Sequence, residues 1–221
     1  MPRPPPYNAR MERLVLFAKT PRLHEVKTRL APRLTAEQAL LLHEAMLQDQ
    51  TLFLKTLSSS GRSCEVCLDT QQGDGDLGAR MNRALLRAFA EGAATAAILG
   101  ADAPTLPRAL VDEAFALLAR GADAVVIPAH DGGYVLVGAS RPVPALFDGI
   151  PWGTPSVLEA TRRRADEAGL ALAETASWPD VDVEGDLPRL AGELAADPSR
   201  APATALVMAR LGLYALRNPM V

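Results

Sequence analysis

Six cations, Arg13, Lys19, Arg22, Lys27, Arg29 and Arg33, fall within positions 13–33, and Glu25 is the one acid among them. The whole chain holds 23 Lys and Arg in 221 residues, so this stretch is strongly enriched. Bound phosphates would supply the negative charge it lacks, and the forked guanidinium of Arg suits phosphate oxygens. A solvated basic loop is the plainer reading of the same residues.

Two acidic pieces could hold a hard cation. In Leu99-Gly100-Ala101-Asp102-Ala103-Pro104 an apolar strand runs out into a single carboxylate, with small neighbours that let a ligand approach the backbone. Mg²⁺ takes few protein oxygens and keeps phosphate and water, so a carboxylate so placed suits it. A turn or helix-capping Asp is the bland alternative. Asp180-Val181-Asp182-Val183-Glu184-Gly185-Asp186 packs four carboxylates into seven residues. An extended backbone there puts Asp180, Asp182 and Glu184 on one side. Asp186 is expected to cap a helix from Leu187. Neither Asp102 nor Asp182 has a basic residue in its own segment, so the two are expected to repel unless a cation joins them.

Gly73-Asp74-Gly75-Asp76-Leu77-Gly78 matches G-x-G-x-x-G. Thr70-Gln71-Gln72 separates it from the preceding strand, and Asp74 and Asp76 would oppose a pyrophosphate, so a dinucleotide site is disfavoured. Contacts to donors on a base or a sugar fit the segment better. His130-Asp131-Gly132-Gly133-Tyr134 is most cheaply a hairpin turn. Trp152-Gly153-Thr154 precedes a helix start, and Trp152 reads as core or rim packing. His43 lies mid-helix and reads as structural. No Gly-x-Ser-x-Gly, Walker loop or His-Glu-x-x-His occurs, which removes support for hydrolase, P-loop and zinc-protease chemistry.

The elements that must position these residues follow from apolar runs and breakers. Strands are expected at 14–18, 63–68, 96–99, 124–127, 134–137 and near 170–174. Helices are expected from Thr35, with Gln38 completing a capping box, to a stop at 58–61; over 79–91; from Pro107 to Gly121; from Thr154 to Gly169; over 187–196; and over 203–216. Strands alternating with helices imply an α/β fold with a mostly parallel sheet covered on both faces. Ligands of such sheets bind at the carboxyl ends of the strands, where the basic loop and Asp102 both leave. One domain over 12–198 is expected, with a Pro-rich leader at 1–11 and a helical appendage at 199–221.

Composition bounds the function. The net charge is −3, which argues against a nucleic-acid partner. Apolar residues make up 48%, yet none of the runs reaches the ~18 residues of a membrane span. Cys64 and Cys67 have C-x-x-C spacing, but odd separation on a strand sends the side chains to opposite faces. They read as reduced thiols of a cytoplasmic protein.

Six motifs occur in one order: Phe17-Ala18-Lys19-Thr20-Pro21 with Val26-Lys27-Thr28-Arg29-Leu30-Ala31-Pro32, Gly75-Asp76-Leu77-Gly78-Ala79-Arg80-Met81, Gly100-Ala101-Asp102-Ala103-Pro104, Asp131-Gly132-Gly133-Tyr134, Trp152-Gly153-Thr154 and Asp180-Val181-Asp182. Over about 12–196 the chain resembles the bacterial glycosyltransferase-like proteins of the nucleotide-diphospho-sugar transferase (GT-A) fold, a group that includes proteins assigned to arsenosugar biosynthesis. Its basic loop is also similar to that of the 2-phospholactate guanylyltransferases. The resemblance implies a nucleotide over the sheet. Lys19, Lys27, Thr28 and Arg29 would hold its phosphates, and Gly75, Asp76 and Gly78 would lie near base or ribose. Asp102 and Asp182 would bind Mg²⁺ or Mn²⁺. Asp131 would be the catalytic candidate for acceptor activation, with Gly132, Gly133, Tyr134 and Trp152 towards acceptor or sugar. The chain departs from the family pattern at Leu23-His24, Ala101, Ala103 and Val183-Glu184. The reaction implied is glycosyl transfer from a nucleotide-activated small molecule. Nucleotidyl transfer with release of pyrophosphate, or nucleotide binding without turnover, are the alternatives.

Overall fold

The structure, a computed structural model, describes residues 11–31 and 33–216. The leader expected over 1–11 lies, apart from Met11, outside the described residues, as do Pro32 and 217–221. The elements in chain order are β1 (Glu12–Ala18), α1 (Ala36–Ser58), β2 (Ser63–Leu68), α2 (Leu77–Ala90), β3 (Thr95–Gly100), α3 (Arg108–Ala119), β4 (Ala124–Pro128), β5 (Tyr134–Ala139), α4 (Val157–Glu167), β6 (Leu172–Glu174), α5 (Leu187–Ala196) and α6 (Pro202–Arg210). The strands form one sheet in the order β2-β1-β3-β5-β4-β6. Every pairing is parallel except those of β5, which runs antiparallel to β3 and β4.

The strand alternation sorts the core into two layers. Leu14 and Leu16 of β1 face α1 and α3, meeting Leu54, Leu57, Val111 and Phe115. Val15 and Phe17 face the other way, onto Met81, Leu85 and Ala88 of α2 and Leu158 of α4. Each such side chain removed from water contributes about 1.5–3 kcal/mol, which holds the sheet rigid beneath its loops. Cys64 packs in the first layer and Cys67 in the second, on opposite faces as the odd spacing requires. Burial pushes both thiols up.

α1 starts on the expected capping box: the Gln38 amide donates to Thr35 Oγ1, and the Thr35 amide donates to the Gln38 side chain at 2.9 Å. The last helix, expected as an appendage, is seated on α1. The buried carboxylate of Asp49 accepts from the amides of Ala203 and Thr204 at 3.0 and 2.7 Å, satisfying the first turn of α6. Ala205, Val207 and Met208 then pack with Leu42, Met46 and the α5 residues Leu190 and Leu194 in a third apolar cluster. Among the described residues no helix is long and apolar enough to cross a membrane.

Candidate functional site

The basic loop leaves β1 and is pinned on both sides. Thr20 donates through its amide and hydroxyl to Asp69, at 2.9 and 2.5 Å, tying the loop to the end of β2. His43 of α1 donates from Nε2 to the Lys19 carbonyl at 3.0 Å. The loop after β3 is held beside it: Ala101 donates its amide to the Phe17 carbonyl at 3.2 Å, and Gln50 of α1 donates to the Ala103 carbonyl at 2.5 Å. A third segment, between β6 and α5, joins when the Val181 amide donates to the Asp102 carbonyl at 2.9 Å. Three stretches far apart in sequence thus meet at the carboxyl edge of β1 and β3.

Lys27 ties them together. Its backbone is left-handed, φ 49°, a conformation that costs a non-glycine residue about 1–2 kcal/mol. That turn drives the side chain inward. The ammonium donates to the Asp102 carboxylate and to the Val181 carbonyl, the latter at 2.5 Å, and only 4% of the side chain is exposed. Enclosure pushes the Asp102 carboxyl up. The Lys27 ammonium, with His43 and Lys19 farther off, outweighs this and holds it below the usual carboxylate range. Arg29, next but one, donates to the Asp182 carboxylate.

These pairs correct the expectation of two repelling carboxylates. Each partner comes from the basic loop, more than 70 residues away in sequence. Asp186 is a second correction. It occupies the cap position of α5, but its carboxylate turns back to accept the amides of Asp182 and Val183, both at 2.8 Å. That bond fixes the backbone on which Asp182 sits. Asp180 is pushed upward, to about 6, by burial and by the neighbouring charges of Asp131, Asp102 and Asp186.

A pocket of about 350 Å³ opens at this edge. Of the residues singled out by the sequence, Lys19, Lys27, Asp102, Asp182 and Tyr134 line it. Lys19 is exposed. Tyr134 presents its ring edge-on to Trp152, with centroids 6.3 Å apart, and its hydroxyl is buried and pushed up by that burial. Trp152 Nε1 has no hydrogen-bond partner among the described residues. The remaining candidates lie outside the lining. Thr28 and Arg29 sit on the outer side of the loop. Asp76 caps α2, accepting the Ala79 amide at 2.8 Å, and Gly75 precedes it at φ 101°. Gly78 packs so tightly that a Cβ would come within 2.7 Å of the Trp152 ring. Asp131 accepts the Gly133 amide at 2.9 Å across the β4–β5 turn. Gly132 docks that turn on α4, its carbonyl accepting the Leu158 amide at 2.8 Å.

Asp69, Gln72, Arg80 and His43 also line the pocket, and sequence reasoning passed over them as site residues. Gln72 donates to the Cys67 carbonyl at 3.0 Å and accepts from Arg80 at 2.8 Å, so α2 presents a braced guanidinium to the cavity. Helical spacing from the expected start of α2 would have put Arg80 in its first turn, the one signal available.

The sheet order and the position of this pocket define a fold class. Over 92% of its length the chain is similar, at 28% identity and a TM-score of 0.80, to a protein from Desulfovibrio desulfuricans G20 provisionally described as a nucleotide-diphospho-sugar transferase, 97% of which is covered. The chain has the nucleotide-diphospho-sugar transferase fold. Residues 29–154 match the family described as "Uncharacterized protein conserved in bacteria (DUF2064)", and the chain belongs to that family. A weaker likeness, 12% identical with a TM-score of 0.48, is to a cytidylyltransferase from Leptospira borgpetersenii serovar Hardjo-bovis, covering 96% of this chain and 98% of that one. No curated protein sequence matches.

Proposed function

We propose that this protein is a transferase acting on a nucleotide-activated donor, with glycosyl transfer from a nucleotide-diphospho-sugar as the leading reaction. The observation that carries the reading is the pocket at the carboxyl edge of β1 and β3, where Lys19 and Lys27 face the same space as Asp102 and Asp182. The likeness to the Desulfovibrio protein supports it. Lys19, with the outer-loop Thr28 and Arg29, meets the donor phosphates. Lys27 fixes the wall on which Asp102 stands. Arg80 and Asp69 flank the nucleoside end, while Gly75, Asp76 and Gly78 shape the start of α2 beside it.

Mg²⁺ or Mn²⁺ fits the donor set. The carboxylates of Asp102 and Asp182 both line the pocket and offer hard oxygens, and this cation completes its shell with phosphate and water. Asp102 and Asp182 would hold it. It would supply positive charge against the leaving diphosphate. The chain's own part is to bind and orient. Lys19 and Arg29 of the loop would offset the negative charge that develops on the leaving diphosphate. Asp131, on the β4–β5 turn, accepts the acceptor's proton. The acceptor is a small molecule and the setting is cytoplasmic.

Product analysis tests this reading. Incubation with nucleotide sugars, Mn²⁺ and small hydroxylated acceptors should release a nucleoside diphosphate. Release of pyrophosphate from a nucleoside triphosphate would assign nucleotidyl transfer instead. Binding without any product would leave a nucleotide-responsive regulator.

A further inference from the structure

Each of the two carboxylates on the pocket wall carries one cation, and the two pairs differ in how they are held. Lys27 is buried, is anchored by a second bond to the Val181 carbonyl and hangs from a left-handed backbone. Releasing it would strand an ammonium in a buried place. Arg29 is 65% exposed and Asp182 36%, and a single contact from Nη1 to Oδ2 joins them. Exposed pairs of this kind contribute little and exchange readily. The Arg29 side chain projects from a short turn, Thr28–Leu30, whose inner residue Leu30 is fully buried and keeps the backbone in place. The guanidinium can therefore move while the turn stays.

Each of the two acids is matched by one base, and no group of three metal-ligating side chains stands together among the described residues. We propose that Arg29 masks Asp182 in the free protein and exchanges it for the donor's diphosphate, so that divalent-cation binding is conditional on the nucleotide. The inference rests on the reading of Asp102 and Asp182 as the metal-holding pair. A diphosphate offers the guanidinium two adjacent oxygens in place of one carboxylate oxygen, a better match to its fork. Once Arg29 has turned, the charge of Asp182 stands uncompensated in the pocket that Asp102 also lines. The linkage is reciprocal: whatever the phosphate does for the metal, the metal does for the phosphate.

The consequence runs against the usual effect of deleting a residue near a site. Arg29→Ala, or Arg29→Gln, should bind Mn²⁺ alone more tightly than the parent, by about fivefold or more, the lower end of ordinary couplings between sites. The same variants should bind inorganic pyrophosphate alone more weakly than the parent. Free Mn²⁺ is counted by electron paramagnetic resonance on the full chain without nucleotide. Adding Asp182→Asn to Arg29→Ala should remove the gain. Equal Mn²⁺ affinity in parent and both Arg29 variants would overturn the masking role. A gain that survives Asp182→Asn would instead overturn the metal pair on which the inference stands.

Discussion

The Lys27 ammonium lies between the Asp102 carboxylate and the Val181 carbonyl, joining the basic loop, the end of β3 and the segment before α5. The two partners are unequally exposed: 4% of the Lys27 side chain against 49% of Asp102. The consequences of breaking the pair are therefore unequal. Asp102→Asn leaves a buried ammonium without its counter-charge and should destabilise the fold by about 2–4 kcal/mol. Lys27→Met leaves a carboxylate that can turn to the water of the pocket, and should destabilise by about 1 kcal/mol. Urea unfolding of both variants checks the order. An Asp102→Asn variant as stable as the parent would mean that the pair is not formed in solution.

The β4–β5 turn is positioned by backbone, not by side chains. Gly132 has φ 92°, and a Cβ there would sit 2.0 Å from the Pro155 carbonyl oxygen. Gly132→Ala should therefore cost about 3 kcal/mol or more, with strain and overpacking acting together. A thermal midpoint within a degree or two of the parent would refute the close approach of the turn to the start of α4.

The anchor between Thr20 and Asp69 gives a pH signature. The Thr20 hydroxyl, then its amide, holds the Asp69 carboxyl below the usual carboxylate range. The native state thus binds its proton less readily than the unfolded chain. The contribution is present above the unfolded value, about 4, and is lost as pH falls through the depressed native value. Thr20→Val should lower stability at pH 7 by about 1 kcal/mol, and the gap to the parent should close as pH falls below that window. A gap independent of pH between 7 and 2 would show that the carboxylate is not the partner. Chemical unfolding across that range makes the measurement.

Much of the fold was legible because its signals are local. The capping box at Thr35 and Gln38, the breakers after α1 and α3, and the short apolar strands depend on near neighbours in sequence, and the element order followed from them. The site was legible in part. Lys27 and Asp102 were singled out separately, but their pairing is a contact across 75 positions and leaves no periodic trace. The same holds for Arg29 and Asp182. Asp76 and Gly78 drew notice through a glycine pattern, but only the Asp76 helix cap is local, and the close approach of Gly78 to Trp152 joins distant parts of the chain. Asp69 and Arg80 escaped because nothing in their neighbourhoods distinguishes a pocket wall from a solvated surface. Only the meeting of β1, β2 and α2 does so.

The most direct measurement is calorimetry of nucleotide sugars in the presence of Mn²⁺, on the parent and on Lys19→Ala. Lys19 is exposed and lines the pocket, so its removal leaves the core untouched. At least one nucleotide sugar should bind the parent, and the variant should bind it about 10- to 100-fold more weakly, the loss of one charge-assisted hydrogen bond to phosphate. Failure of every nucleotide sugar to bind, or equal affinity in parent and variant, would contradict a phosphate site at the carboxyl edge of β1.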